Sequence, residues 1–144
     1  MIQSVVIINT SGLVMFSQSL TRPLEQPRMV GSLVRTMIEY ANNNAGMPLS
    51  AITFEKRSVH IASLPGCPLY CVVLADRTDY DREISFGRIF ADIALEHFTQ
   101  DYNHYLDSTL GHNLRTFVGF RQRLPGIVQV VIRQALCESK LANN

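Results

Sequence analysis

The sequence predicts an α+β sandwich: an antiparallel sheet of about five strands with helices on its faces, in the order β-β-α-β-β-β-α-α. Three observations carry this expectation. β-Branched runs with turn residues between them open the chain, a second group of such runs follows Leu49, and segments with apolar spacing of three and four separate and follow these groups.

Residues 4–9, SVVIIN, and 13–19, LVMFSQS, form a hairpin. Asn9, Thr10, Ser11 and Gly12 between them are residue types that tolerate the positive φ of tight turns. Residues 21–27, TRPLEQP, are a loop held open by two prolines. Over 28–40 the apolar residues Met29, Val30, Leu33, Val34, Met37 and Ile38 recur every three or four positions, which predicts a first helix of about four turns. NNNAGMP ends it. LSAITFEKR and SVHIASL alternate apolar with polar residues and read as strands. PLYCVVLAD, residues 68–76, is nearly continuous in its apolar character, so its strand is buried on both faces and central in the sheet. LPGCP before it is a turn.

Residues 81–105 carry Ile84, Phe86, Ile89, Phe90, Ile93, Ala94, His97, Phe98 and Tyr102 on one side, with Arg82, Glu83, Arg88, Asp92, Glu96 and Asp101 mostly on the other. This is a second, longer helix. Gly111 and Gly119 weaken a helix over 108–124, and RTFVGF fits an extended segment equally. Beyond Pro125 and Gly126, IVQVVIRQALCESKL reads as a third helix, its Ile and Val content leaving a strand open. With no internal repeat or linker, residues 1–144 read as a single domain, irregular over 107–125.

Composition narrows the function classes. Thirteen Lys and Arg against twelve Asp and Glu leave no net field to attract nucleic acid or an anionic membrane. The cysteines Cys67, Cys71 and Cys137 match no zinc or redox spacing, and the N-terminus does not resemble a signal peptide; a reducing, cytosolic setting is expected. Cys71 reads as core and Cys137 as packed from the last helix, while Cys67 in its turn reads as exposed. No apolar run approaches the roughly 20 residues of a membrane span.

LYCVVLADRTDYDREISFGRIFADIALEHF resembles the longin domains of R-SNAREs, in which an apolar strand leads through an acidic turn into a Phe- and Ile-rich helix. Tyr70, Cys71 and Val73 match the strand, Asp79 and Tyr80 the turn, and Phe86, Ile89, Phe90, Ile93 and Phe98 the helix. ITFEKRSVHIAS resembles the preceding strand pair. RTFVGFRQRLPGIVQVVIRQA is similar, more weakly, to the last part of Sec22-type longins. The resemblance implies a longin-like (profilin-like) fold and a non-catalytic interaction domain in vesicle trafficking, at the cytosolic face of endomembranes. The implied partners are a SNARE motif or another trafficking protein. A longin-like partner subunit or a small GTPase fits the alternative, a subunit of an adaptor, tethering or Rab-GTPase exchange complex. No nucleic acid is implied, and contact with membranes is peripheral, through partners. R-SNAREs continue into a heptad motif and a membrane anchor, so this chain is expected to be either the longin portion of such a protein or a longin-only protein. In the family the groove between the first helix and the third strand receives the SNARE motif or another peptide. By position this implies Leu33, Met37 and Tyr40 on the helix with Ile52 and Phe54 on the strand, the last two on one sheet face by period-two alternation.

The first helix itself carries two apolar stripes, Met29, Leu33 and Met37 beside Val30, Val34 and Ile38. Packing on a sheet needs only one, so the surplus is either core or a partner groove. Other chemistry is thin. Asp76, Asp79 and Asp81 have the look of an acidic calcium loop but lack its Gly and its terminal bidentate Glu, so a small enzyme built on them is the weakest alternative. Thr78 or Asp79 suits a helix cap, with Asp81 and Glu83 facing the positive end of the dipole. His60, His97, His104 and His112 are scattered, without a nucleophile signature. NTSG lacks the further glycines and the Lys of a phosphate loop. No catalytic residue, metal or cofactor is expected.

Overall fold

In a computed structural model, residues 2–21, 26–76, 86–106 and 114–142 are described. The elements are β1 (Ile2–Asn9), β2 (Val14–Ser19), α1 (Pro27–Tyr40), β3 (Ala51–Thr53), β4 (Arg57–Ser63), β5 (Leu69–Asp76), α2 (Phe86–Leu106) and α3 (Leu124–Ala142). A π-helical turn, Ala41–Ala45, prolongs α1, and a 3₁₀ helix, Leu114–Arg123, precedes α3. All five strands form one antiparallel sheet in the order β2-β1-β5-β4-β3. The predicted order holds, and β5 is the central strand, as its apolar run requires.

Local chemistry explains the connections. At the β1–β2 turn the Asn9 side-chain oxygen accepts the backbone N–H groups of Ser11 (2.9 Å) and Leu13 (3.0 Å). Gly12 alone in this turn takes positive φ, 83°. Proline stands in the first turn of α1, where an N–H has no helical partner to lose.

Period-two alternation divides the strands between two cores. Val6, Ile8, Val59, Ile61 and Val72 face α1, which answers with Val34 and Ile38. Val5, Ile7, Cys71 and Val73 face the larger core, completed by Phe90, Ala94 and Phe98 of α2, Phe117 and Phe120 of the 3₁₀ helix, and Leu124, Ile127 and Val131 of α3.

Five local expectations are corrected or decided. Residues 114–123 are a 3₁₀ helix, neither extended nor irregular, because Phe117 and Phe120 three positions apart both point into the aromatic core. The third helix starts at Leu124, before Pro125 and Gly126, since proline is tolerated in a first turn; it is helix and not strand. Cys137 is exposed, on the flank of α3 away from the Ile127, Val131 and Ala135 stripe, whereas Cys67 is half-buried with its Sγ 3.7 Å from Thr99 Oγ1. Phe86, at the start of α2, is exposed.

Candidate partner-binding groove

Sheet dimensions dictate where surface is left open. Five strands at about 4.8 Å spacing span roughly 20 Å, whereas one helix with its side chains is about 10 Å across. α1 is the one described helix on its face of the sheet, and it lies toward β1 and β2. No described helix therefore covers the β3 side of that face.

What remains there is a groove of about 670 Å³ between α1 and β3. Its floor is a cross-strand row: Ile52 of β3 stands opposite Val59 of β4, which stands opposite Leu74 of β5. α1 supplies one wall with Val30, Leu33 and Val34, and Phe54 closes the other. The turn that bears Phe54 is fixed by its N–H donating to the Arg57 carbonyl at 2.8 Å. Glu55, Lys56 and Arg57 give this end a rim of mixed charge.

Of the five residues implicated by position, Leu33, Ile52 and Phe54 line this groove. Met37 is half-buried and Tyr40 is 70% exposed, and neither lines it. Each lies further along α1, past the end of the cavity. The two stripes on α1 have separate fates: Val34 and Ile38 are core with Val30 packed against them, while Met29 and Leu33 stay 65% and 54% exposed. Val59 and Leu74 were missed in the sequence, although their alternation with Ser58 and Val73 was the signal that sets them on the α1 face.

The other chemical candidates do not assemble. Asp76, at the end of β5, accepts a hydrogen bond from the Gln3 side chain across the sheet. Asp79, Asp81 and the helix cap expected at Thr78 or Asp79 lie outside the described residues, among which no three His, Cys, Asp or Glu come together as for a metal ion. Ser58 Oγ lies 3.0 Å from His60 Nε2, but Ser58 is buried and the imidazole packs against Gly87 of α2, so this pair faces the interior and not a cleft. Burial, with the nearby Asp92 carboxylate second, drives the Cys71 thiol far above the usual range, which keeps it neutral and unreactive. Among the described residues no helix is long and apolar enough to cross a membrane.

No protein-family model matches the sequence, and no curated protein matches it. Solved structures do match in shape. A structure of the mammalian SRP receptor is 16% identical, with a TM-score of 0.56, over 93% of this chain and 97% of that one. A Roadblock/LC7 domain from Streptomyces avermitilis is 18% identical over 74% of this chain and 87% of that one, with a TM-score of 0.46. The gliding protein MglB of Thermus thermophilus is 13% identical over 52% of this chain, with a TM-score of 0.45; the match spans 61% of the MglB chain. The SRP receptor match, which runs through nearly all of both chains, carries the comparison: the chain has a longin-like α+β fold.

Proposed function

We propose that this chain is a non-catalytic interaction domain of intracellular membrane traffic, which regulates or sorts a SNARE by holding its helical motif in the α1–β3 groove. The observation that supports this reading is the exposed apolar wall of Leu33 and Phe54 over an apolar floor, on a sheet face that α1, its one described helix, leaves partly bare. An amphipathic helix laid there buries apolar surface on both partners. The domain acts at the cytosolic face of endomembranes, reached through its partners.

The test is titration of a labelled SNARE-motif peptide into the wild-type chain and into the double variant Leu33→Asp, Phe54→Ser. Both residues are about half exposed, so circular dichroism should show an unchanged fold while binding is lost. Unfolding of the variant would instead make these positions core and defeat the groove assignment.

The second reading is a longin-like subunit of an adaptor, tethering or Rab-GTPase exchange complex, which binds a partner subunit or a small GTPase. It is favoured by two open sheet edges, β2 and β3, among the described residues, and by the likeness in fold to the mammalian SRP receptor. Affinity purification of the tagged protein from its own cells separates the two: SNAREs in the eluate support the first, a stoichiometric longin-like subunit or GTPase the second.

A further inference from the structure

On the other side of α1 lies a second opening, built around the edge of the sheet. β2 is an edge strand, paired with β1 alone among the described residues. The Leu20 N–H donates to the Gln3 carbonyl at 2.7 Å, and Ser19 stands opposite Ser4. Antiparallel alternation then bonds Gln18 and Phe16 to β1 and turns the N–H and C=O of Ser17 outward, toward the open edge. The Ser19 carbonyl, also outward, accepts the Gln18 side-chain amide at 2.8 Å.

Two elements overhang this edge from opposite faces. The first turn of α1 brings Arg28 and Met29 over one face, and the 3₁₀ helix brings Val118 and Arg121 over the other. Between them is a slot of about 750 Å³ along Leu13 to Ser17. Each overhang presents one apolar side chain and one guanidinium. Met29 and Val118 are exposed, and neither arginine forms an ion pair among the described residues. None of the described residues that line the slot is acidic.

An extended chain sends alternate side chains to opposite faces, which matches a slot with the same pair of chemistries above and below. We propose that the slot binds an extended segment of a partner protein that carries acidic and apolar residues on both its faces, added as a strand beside β2. Ser17 supplies main-chain hydrogen bonds, Met29 and Val118 apolar contact, and Arg28 and Arg121 the charge that selects acidic residues. This site lies apart from the α1–β3 groove and stands or falls independently of it.

The experiment is fluorescence polarisation of a fluorescein-labelled peptide of repeated Glu-Glu-Val-Val, which sets both residue types on both faces of a strand, with the full chain. Binding is expected, and Arg28→Glu with Arg121→Glu should weaken it about tenfold or more, the effect of reversing two exposed charges that the peptide covers. Arg28→Lys with Arg121→Lys should keep most of the binding, which separates charge from misfolding. N-methylation of the peptide backbone at alternate residues should abolish binding in one of its two registers, and Leu33→Asp should leave it unchanged. The proposal is overturned if the peptide does not bind, if a Lys-Lys-Val-Val peptide binds equally well, or if N-methylation is without effect in either register. It is equally overturned if the chain forms a dimer, lost in the Glu variants, that excludes the peptide, since the occupant is then a second copy.

Discussion

Gly31 shows at the residue scale how a missing side chain sets the position of a helix. A Cβ there would sit 2.6 Å from the Gly12 carbonyl oxygen, so α1 rests on the β1–β2 turn at a distance only glycine allows. Gly31→Ala should cost about 1–3 kcal/mol in urea unfolding, the cost of forcing backbone apart in a packed interior. The three cysteines differ in exposure. In the native state a thiol reagent should modify exposed Cys137 fastest and Cys67 slowly, and leave Cys71 untouched until denaturant is added. Asp92 of α2 supplies a pH dependence. Desolvation raises its carboxyl above the ordinary range, with Arg88 pulling it partly back. The folded chain then keeps a proton that the unfolded chain has already released, so this group's contribution is present at low pH and is lost as pH rises through the raised value. Asp92→Asn should therefore melt higher than wild type at pH 7 and the two should converge near about pH 3, below the unfolded carboxyl's range. Equal melting points at pH 7 would count against a raised carboxyl.

Among the elements, the 3₁₀ helix is fastened to α2 by two kinds of interaction. Phe117 and Phe120 join Phe16, Phe98 and Tyr102 in an aromatic cluster, with Phe120 edge-on to both Phe16 at 5.2 Å and Phe98 at 5.0 Å. At its end, Arg123 pairs with Asp101 at 2.9 Å and its Nη2 donates to His97 Nδ1 at 2.8 Å. The ionic contact is half-exposed and the rings of Phe98, Phe117 and Phe120 are fully buried. Phe120→Ala should thus cost about 3–5 kcal/mol and Arg123→Ala less than about 1 kcal/mol in chemical denaturation. Comparable losses would mean that the ion pair holds the helix as firmly as the core does. In the sequence this segment was ambiguous because period three over so short a stretch, with Gly119 inside it, separates weakly from an extended run. The aromatic partners that settle it come from β2 and α2, far along the chain.

For the whole molecule, the number of strands set against the number of helices determines the surface. One face carries α2, the 3₁₀ helix and α3, and the other carries α1 alone among the described helices, which leaves an opening on each side of that helix. Met29, Val30, Leu33, Val34 and Ile38 were legible as a helix with more apolar surface than a single packing face needs. Which stripe turns to solvent was not legible, since that depends on where α1 sits across the sheet. Met37 and Tyr40 were carried over by position along the helix, and they fall beyond the cavity because β3 is only three residues long.

The element order, the central place of β5 and the two-sided division of the strands were legible in the residues alone, because period-two and period-three-to-four patterns are local and burial follows from them directly. Tertiary structure decided the conformation of 114–123, the exchange of roles between Cys67 and Cys137, and the two openings beside α1. Each of these depends on contacts between segments distant in the chain, and no local spacing encodes how far one helix reaches across a sheet.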